Sequence, residues 1–355
     1  MIVLWSPGRP KTDVPGDFDI GAGVLYKACG AGCFFGTDFA RDRTMAVFIT
    51  GGYGHLASWT AVLLARQGRK VILYDVDQER PDHLDEVSQQ ITFIRGDVLD
   101  LATLRNALEK HYSELDGIIH TVGVMGELVL SNPHYYVTLN IMGLANVLEL
   151  ARVLQVKKVL YTSTGAVYGV VPGLARETHN PNPSDLYAAT KVSAEYLGIQ
   201  YEQAFGIDFR IARLFFVYGP GKYPSRFIRL YKMAFGALEG LEGLQMDKGA
   251  DQRLDFTYVE DAAQGMALLF DAKDPPHKIF NIATGESHSV GEVAKLTQRY
   301  THFPVPVSIG PGELMRRSEA LDITRAASEL GYAPRVSLEE GIKRYADWLK
   351  QRARK

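Results

Sequence analysis

Cysteine is nearly missing from this chain: two among 355 residues, Cys29 and Cys33. Two thiols cannot build a disulfide framework, which fits a reducing cytoplasm. A lone CxxxC pair also falls short of the four ligands of a structural zinc site, so no metal is expected. An excess of one charge is missing too. The 39 Lys and Arg nearly balance 41 Asp and Glu, for a formal net charge of −2. No overall positive field draws the chain to nucleic acid or to an anionic membrane. Nor does any apolar run approach the ~20 residues that span a bilayer. What is there, 46% hydrophobic and 23% charged residues, is a globular balance, at a length that suits about two domains.

Residues 1–44 carry turn formers (Pro7, Pro10, Pro15, Gly16, Gly21, Gly23) and no periodicity. "MIVLW" is too short for a secretory leader and lacks its basic flank. The segment reads as a poorly ordered extension, upstream of a natural start at Met45. From there the order is regular. Short apolar runs ("AVFIT", "KVILYD", "ITFIRGD", "DGIIHTVG", "KKVLYTST", "FRIARLFFVYG") alternate with amphipathic stretches. That alternation predicts βαβ units and a Rossmann-type, doubly wound parallel α/β sheet over 45–220. Some later segments return to this sheet. Residues 221–355 are less regular, mainly helix-rich with Gly and Pro breaks.

Between the first strand and helix lies Gly51-Gly52-Tyr53-Gly54-His55-Leu56-Ala57. Glycines there permit a tight turn, and the backbone N–H groups from Gly51 through Tyr53, Gly54, His55 and Leu56 can face a pyrophosphate at the helix N-terminus. Asp75 ends the second strand, where a carboxylate accepts the hydroxyls of an adenosine ribose and repels a 2′-phosphate. That favours NAD over NADP. Asp97 could face the adenine amino group, with Val98 against the ring. His55 is read as a surface substitution in the loop, without a catalytic part.

Tyr187 and Lys191 form YxxxK on an expected helix, which puts both on one face. The ammonium is expected to draw the phenol down toward neutrality and make Tyr187 an acid/base. Thr164, at the end of the fifth strand, could bond the same substrate oxygen.

These residues carry a resemblance. "TGGYGHLAS", "GDV", "TSTGAVYG", "YAATK", "RLFFVYGPG", "LDFTYVEDAA" and "FNIATGE" are similar to the extended short-chain dehydrogenase/reductase family, which includes NAD-dependent nucleotide-sugar epimerases and dehydratases. The resemblance implies a catalytic set of Thr164, Tyr187 and Lys191. It implies Thr121, Val122, Gly123 and Thr162 along the cofactor, with Lys191 on the nicotinamide ribose. Asn140 would join the supporting network and Phe215 would lie near the nicotinamide. A carbohydrate-like substrate follows, bound mainly by a smaller C-terminal α/β lobe over 221–355, and a homodimer through helices around 136–154 and 185–205.

The chain also departs from the pattern. Gly165 and Ala166 follow Thr164 where dehydratases carry acids, so dehydration is disfavoured. Phe216 replaces an Asn that contacts the substrate diphosphate. Leu254 stands where an Arg is usual, with Arg253 one residue early, and one step along an extended segment turns a side chain to the other face. Arg316 and Arg317 lie where a second phosphate-binding Arg can occur. Three functions therefore stand: an epimerase of nucleotide sugars, an NAD-dependent dehydrogenase of a polyol, sugar acid or hydroxy-carbonyl compound, and a non-catalytic NAD sensor.

Overall fold

The computed structural model describes residues 45–353, apart from 125–130, 227, 243, 304 and 316. The expectations for residues 1–44, both cysteines and Arg316 lie outside the described residues.

The first strand, β1 (Ala46–Thr50), is buried along its whole length, as a central parallel strand covered on both faces must be. It pairs in parallel with β2 (Val71–Asp75) on one side and β4 (Leu115–His120) on the other. β3 (Ile91–Arg95), β5 (Lys158–Thr164), β6 (Asp208–Leu214) and the returning β9 (Ile279–Ile282) complete seven parallel strands in the order 3-2-1-4-5-6-9. The reversal between β3-β2-β1 and β4-β5-β6 creates a switch point over the carboxyl ends of β1 and β4, where such sheets bind ligands.

Helices cover both faces. α1 (His55–Arg66) and α2 (Leu101–Glu109) follow β1 and β3. α3 is interrupted: Pro133–Val137 and Gly143–Val153 flank a π segment, Thr138–Met142. Asn140 sits in that wider turn, a deformation frequent at functional sites. α4 (Leu186–Phe205) starts at an Asp185 cap whose carboxylate accepts from Ala188 N.

After β6 the chain runs through α5 (Arg229–Phe235), β7 (Leu244–Met246) and β8 (Arg253–Leu254). Then α6 (Val259–Asp271) and β9 return to the sheet, with α6 packed on α1. β10 (His288–Ser289) pairs with β8, and β11 (Val307–Ile309) with β7. Helices α7 (Val290–Tyr300), α8 (Thr324–Leu330) and α9 (Leu338–Ala353) finish the chain. The C-terminal third is thus more strand-bearing than its sequence suggests, because strands of two to four residues are too short to set up a period of two. Among the described residues no helix is long and apolar enough to cross a membrane.

Candidate functional site

The glycine loop turns at Gly51, whose φ of +71° suits glycine. A Cβ there would stand 2.8 Å from Thr121 Oγ1. Thr121 Oγ1 itself donates to the Thr50 carbonyl at 2.7 Å, so the end of β4 supports the turn. Gly54 is equally confined: a Cβ would lie 2.9 Å from the Gly51 carbonyl oxygen. Past it, α1 begins with no side-chain cap and no acid in its first turn. Its N–H groups and positive dipole end are left facing outward for an anion. Asp75 accepts from Tyr53 N (2.9 Å) and Asp77 N (3.0 Å), which fixes the carboxylate at the end of β2. The Tyr53 ring stacks on Phe93 at 4.3 Å. Asp97 Oδ1 accepts from Leu99 N (2.9 Å), while Val98 is buried in the core beneath. This cradle, closed to side chains at Gly51 and Gly54 and ending at a fixed carboxylate, fits NAD.

His55 corrects the sequence reading. Its ring does not lie on the surface. It packs against the segment after β6, next to Gly221, and burial, with Lys222 and His83 nearby, holds it well below the usual imidazole range. Trp59 stacks on His83 at 4.4 Å and donates to the Pro220 carbonyl at 2.8 Å. His55 and Leu56 thus fasten α1 to the 217–222 segment by their side chains, which leaves their backbone N–H groups for the loop's ligand.

Thr164, Tyr187 and Lys191 meet at the carboxyl end of β5. Thr164 is close enough to Tyr187 to favour its phenolate, and Thr164 Oγ1 accepts from Ala166 N. Lys191 is 3% exposed. Its Nζ donates to the Thr162 carbonyl at 3.0 Å and lies 6.0 Å from the Tyr187 ring centre. A Cβ on Gly123 would come within 2.9 Å of that ammonium, so glycine keeps the approach to Lys191 open. Asn140 ties the site together: Oδ1 accepts from Val124 N (3.0 Å) and Nδ2 donates to Thr190 Oγ1 (3.0 Å). The bonds of Asn140 and of Thr162, whose hydroxyl donates to the His120 carbonyl, all run to protein groups. Val122 packs against the turn at Gly51.

The expected acidity of Tyr187 is also corrected. Burial pushes the phenol up to about 12, and Thr164 and Arg317 only partly offset this. Lys191 is not among the groups that lower it. Its own ammonium, desolvated by burial, is held down to about 8 and is spent on the Thr162 carbonyl.

On the substrate side, Phe215 is buried beside Gly165, where a Cβ would stand 2.3 Å from its ring. The position after Thr164 is therefore closed to any side chain, acids included. Phe216 has φ +32°, uncommon for a bulky residue and natural for Asn. The backbone keeps the conformation while the ring packs on Tyr231 (5.8 Å) and Phe256 (5.0 Å). Leu254 is fully buried in the same cluster. Arg253 turns the other way, toward Ser287, Glu319 and Glu292. Among the described residues those are its partners, so the structure does not bring it to Tyr187. It does bring Arg317 there. Arg317 Nη2 donates to Asp185 Oδ2 at 2.7 Å, and its charge acts on Tyr187.

Two functional neighbours escaped sequence reasoning. Arg213 donates two bonds to Glu195, at 3.0 and 2.6 Å, and Ser163 donates to the same carboxylate. Arg213 and Glu195 are each 2% exposed. The available signal was a charge inside the apolar run of β6, and an acid one turn beyond Lys191.

A separate cleft of about 790 Å³ lies at the opposite edge of the sheet. Its charges pair with each other, Arg69 with Asp116 and Asp271, Lys158 with Asp116, and Arg210 with Asp208. It is away from the carboxyl strand ends and is not the candidate site.

Comparison with known proteins agrees with this geometry. Residues 47–283 match the model of the NAD dependent epimerase/dehydratase family. An uncharacterized protein of Methanocaldococcus jannaschii is 30% identical over 77% of this chain and 83% of its own. The UDP-glucuronate 4-epimerase of Thermodesulfobacterium geofontis is 28% identical over 85% of this chain and 95% of its own. The structure of the Thermus thermophilus UDP-glucose 4-epimerase in complex with NAD superposes with a TM-score of 0.76 at 26% identity, covering 86% of this chain and 99% of that one. The chain belongs to the NAD dependent epimerase/dehydratase family, as an NAD-dependent enzyme of the extended short-chain dehydrogenase/reductase type.

Proposed function

We propose that this enzyme epimerises a nucleotide sugar by transient oxidation of a ring hydroxyl. The single observation that carries the reading is the meeting of Thr164, at the carboxyl end of β5, with Tyr187 and Lys191 one turn apart on α4, the Lys191 ammonium 6.0 Å from the Tyr187 ring centre. Bound NAD supplies the hydride acceptor and donor. The chain's residues do the rest. Thr164 and Tyr187 hold the substrate oxygen, and Tyr187 takes its proton and returns it. Lys191, fixed on the Thr162 carbonyl one turn along α4, would hold the nicotinamide ribose. Asn140 and Thr190 keep α4 and the Gly123–Val124 backbone in register. Dehydration is disfavoured because residue 165 can carry no acid beside Phe215. Asp75, Asp97, Thr121, Val122, Gly123, Thr162 and Phe215 serve the cofactor on this reading.

A second reading has a specific observation behind it. Phe216 packs into an apolar cluster in which Leu254 is fully buried, so neither position offers a donor to a diphosphate. That favours a dehydrogenase of a non-nucleotide sugar acid or polyol, with net NADH release. Incubation of the protein with NAD and either UDP-glucose or UDP-glucuronate decides between them. Isomer formation without accumulating NADH supports the epimerase. Stoichiometric NADH from a free sugar acid, with nucleotide sugars inert, supports the dehydrogenase.

We also propose a cytoplasmic homodimer. Tyr135, Val137, Met142 and Val153 on α3 and Leu186, Tyr196 and Phe205 on α4 are exposed apolar side chains on two adjacent helices, a surface suited to a helix-bundle contact with a second copy. The two cysteines fit a reducing compartment.

A further inference from the structure

We propose that the substrate carries a carboxylate on the ring that is oxidised, and that Arg317 and Tyr136 grip it. The inference rests on the reading of Tyr187 as the group that works on a sugar hydroxyl.

Arg317 is delivered to the site by a clamp. The neighbouring Ser318 donates from both N (2.7 Å) and Oγ (2.9 Å) to the Gly169 carbonyl, and Ala175 N donates to the Ala320 carbonyl at 3.0 Å. The side chain of Arg317 is 16% exposed. A guanidinium has five N–H donors in a fixed fork. Among the described residues, Arg317 uses one of them, on Asp185 Oδ2. Asp185 is itself fixed by capping α4, so the guanidinium is anchored on one side and free on the other.

Tyr136 is the second observation. It is 1% exposed, its ring meets Tyr187 edge to face at 6.3 Å, and its hydroxyl has no hydrogen-bond partner among the described residues. A buried phenol without a partner is costly to hold. Arg317 is bonded to Asp185, the cap two residues before Tyr187, and Tyr136 meets the Tyr187 ring, so the open donors and the unpaired hydroxyl belong to one locality. A planar carboxylate matches the guanidinium fork and accepts a phenolic hydrogen bond as well. A neutral hydroxymethyl group offers one acceptor oxygen and no charge. The alternative, that Arg317 holds a diphosphate, places it at the wrong end of the substrate, because the group it shares space with is Tyr187.

The test uses the full-length NAD-loaded protein and calorimetric binding of ligand pairs that differ only by the carboxylate: UDP-glucuronate with UDP-glucose, and free glucuronate with glucose. UDP alone reports on the diphosphate. In at least one pair the acid should bind about 10- to 100-fold tighter, the range of one charge-assisted contact. Arg317→Gln should erase that preference while leaving UDP and the neutral member within about 3-fold. Arg317→Lys should keep part of it, and Tyr136→Phe should lose a smaller part. The proposal is overturned by no acid preference in either pair, by a preference that survives Arg317→Gln, or by equal losses for acid, neutral ligand and UDP. Binding is read apart from turnover, so a protein that prefers the acid but produces no isomer sinks the epimerase reading and leaves the role of Arg317 standing.

Discussion

Replacing Arg213 with methionine isolates the buried pair beneath the site. The change leaves the Glu195 carboxylate 2% exposed, with the Ser163 hydroxyl as a remaining donor. Two charge-assisted bonds are lost, and the desolvated anion stays behind. Breaking one side of such a pair costs about 3–5 kcal/mol, which lowers the melting temperature on the order of 10 °C. Replacing both partners, Arg213→Met with Glu195→Met, removes the uncompensated charge. The double variant should recover at least about 2 kcal/mol, since apolar replacement of a whole buried pair is often near neutral. Urea titration of wild type, each single variant and the double gives the coupling. Single-variant losses under about 1 kcal/mol, or strictly additive losses, would refute the reasoning.

Other outcomes follow from the same geometry. Tyr187→Phe should lower turnover by about 10²–10⁴-fold while NAD binding, measured by fluorescence, survives. Because burial holds Lys191 down to about 8, its charge is complete below that pH and lost above it. The pH–rate profile should therefore show an alkaline fall near pH 8 that Lys191→Arg moves upward. Gly165→Ala forces a methyl into the Phe215 ring, at a cost of about 1–3 kcal/mol, and Phe215→Leu in the same chain should return part of it in a thermal melt. Asp75→Ala removes the acceptor for Tyr53 N and should weaken NAD about 10-fold or more while NADP loses less, checked by titration of both cofactors.

The sheet was legible because its central strands are buried on both faces and so read as unbroken apolar runs ending at Gly51, Asp75 and Thr164. The YxxxK spacing was legible because helical geometry alone makes Tyr187 and Lys191 neighbours. What stayed hidden depends on contacts between distant parts of the chain. Nothing near Arg317 in sequence points to Asp185 or Tyr136, and the pairing of Arg213 with Glu195 needs β6 and α4 side by side. The inward turn of His55 comes from the 217–222 segment. The direction of the Tyr187 shift also depends on depth of burial, and there desolvation outweighs the charges that the motif suggested. The short strands of the C-terminal lobe are fixed by their partners across the sheet rather than by their own pattern.

The fate of a label at the reacting carbon tests the central claim most directly. A nucleotide-sugar substrate deuterated at that carbon is incubated with the NAD-loaded enzyme in ordinary water and analysed by NMR. Transient oxidation with return of the same hydride predicts an epimer that keeps its deuterium at the inverted carbon and gains none from solvent. Deuterium found in released NADH, or lost to water, would contradict it.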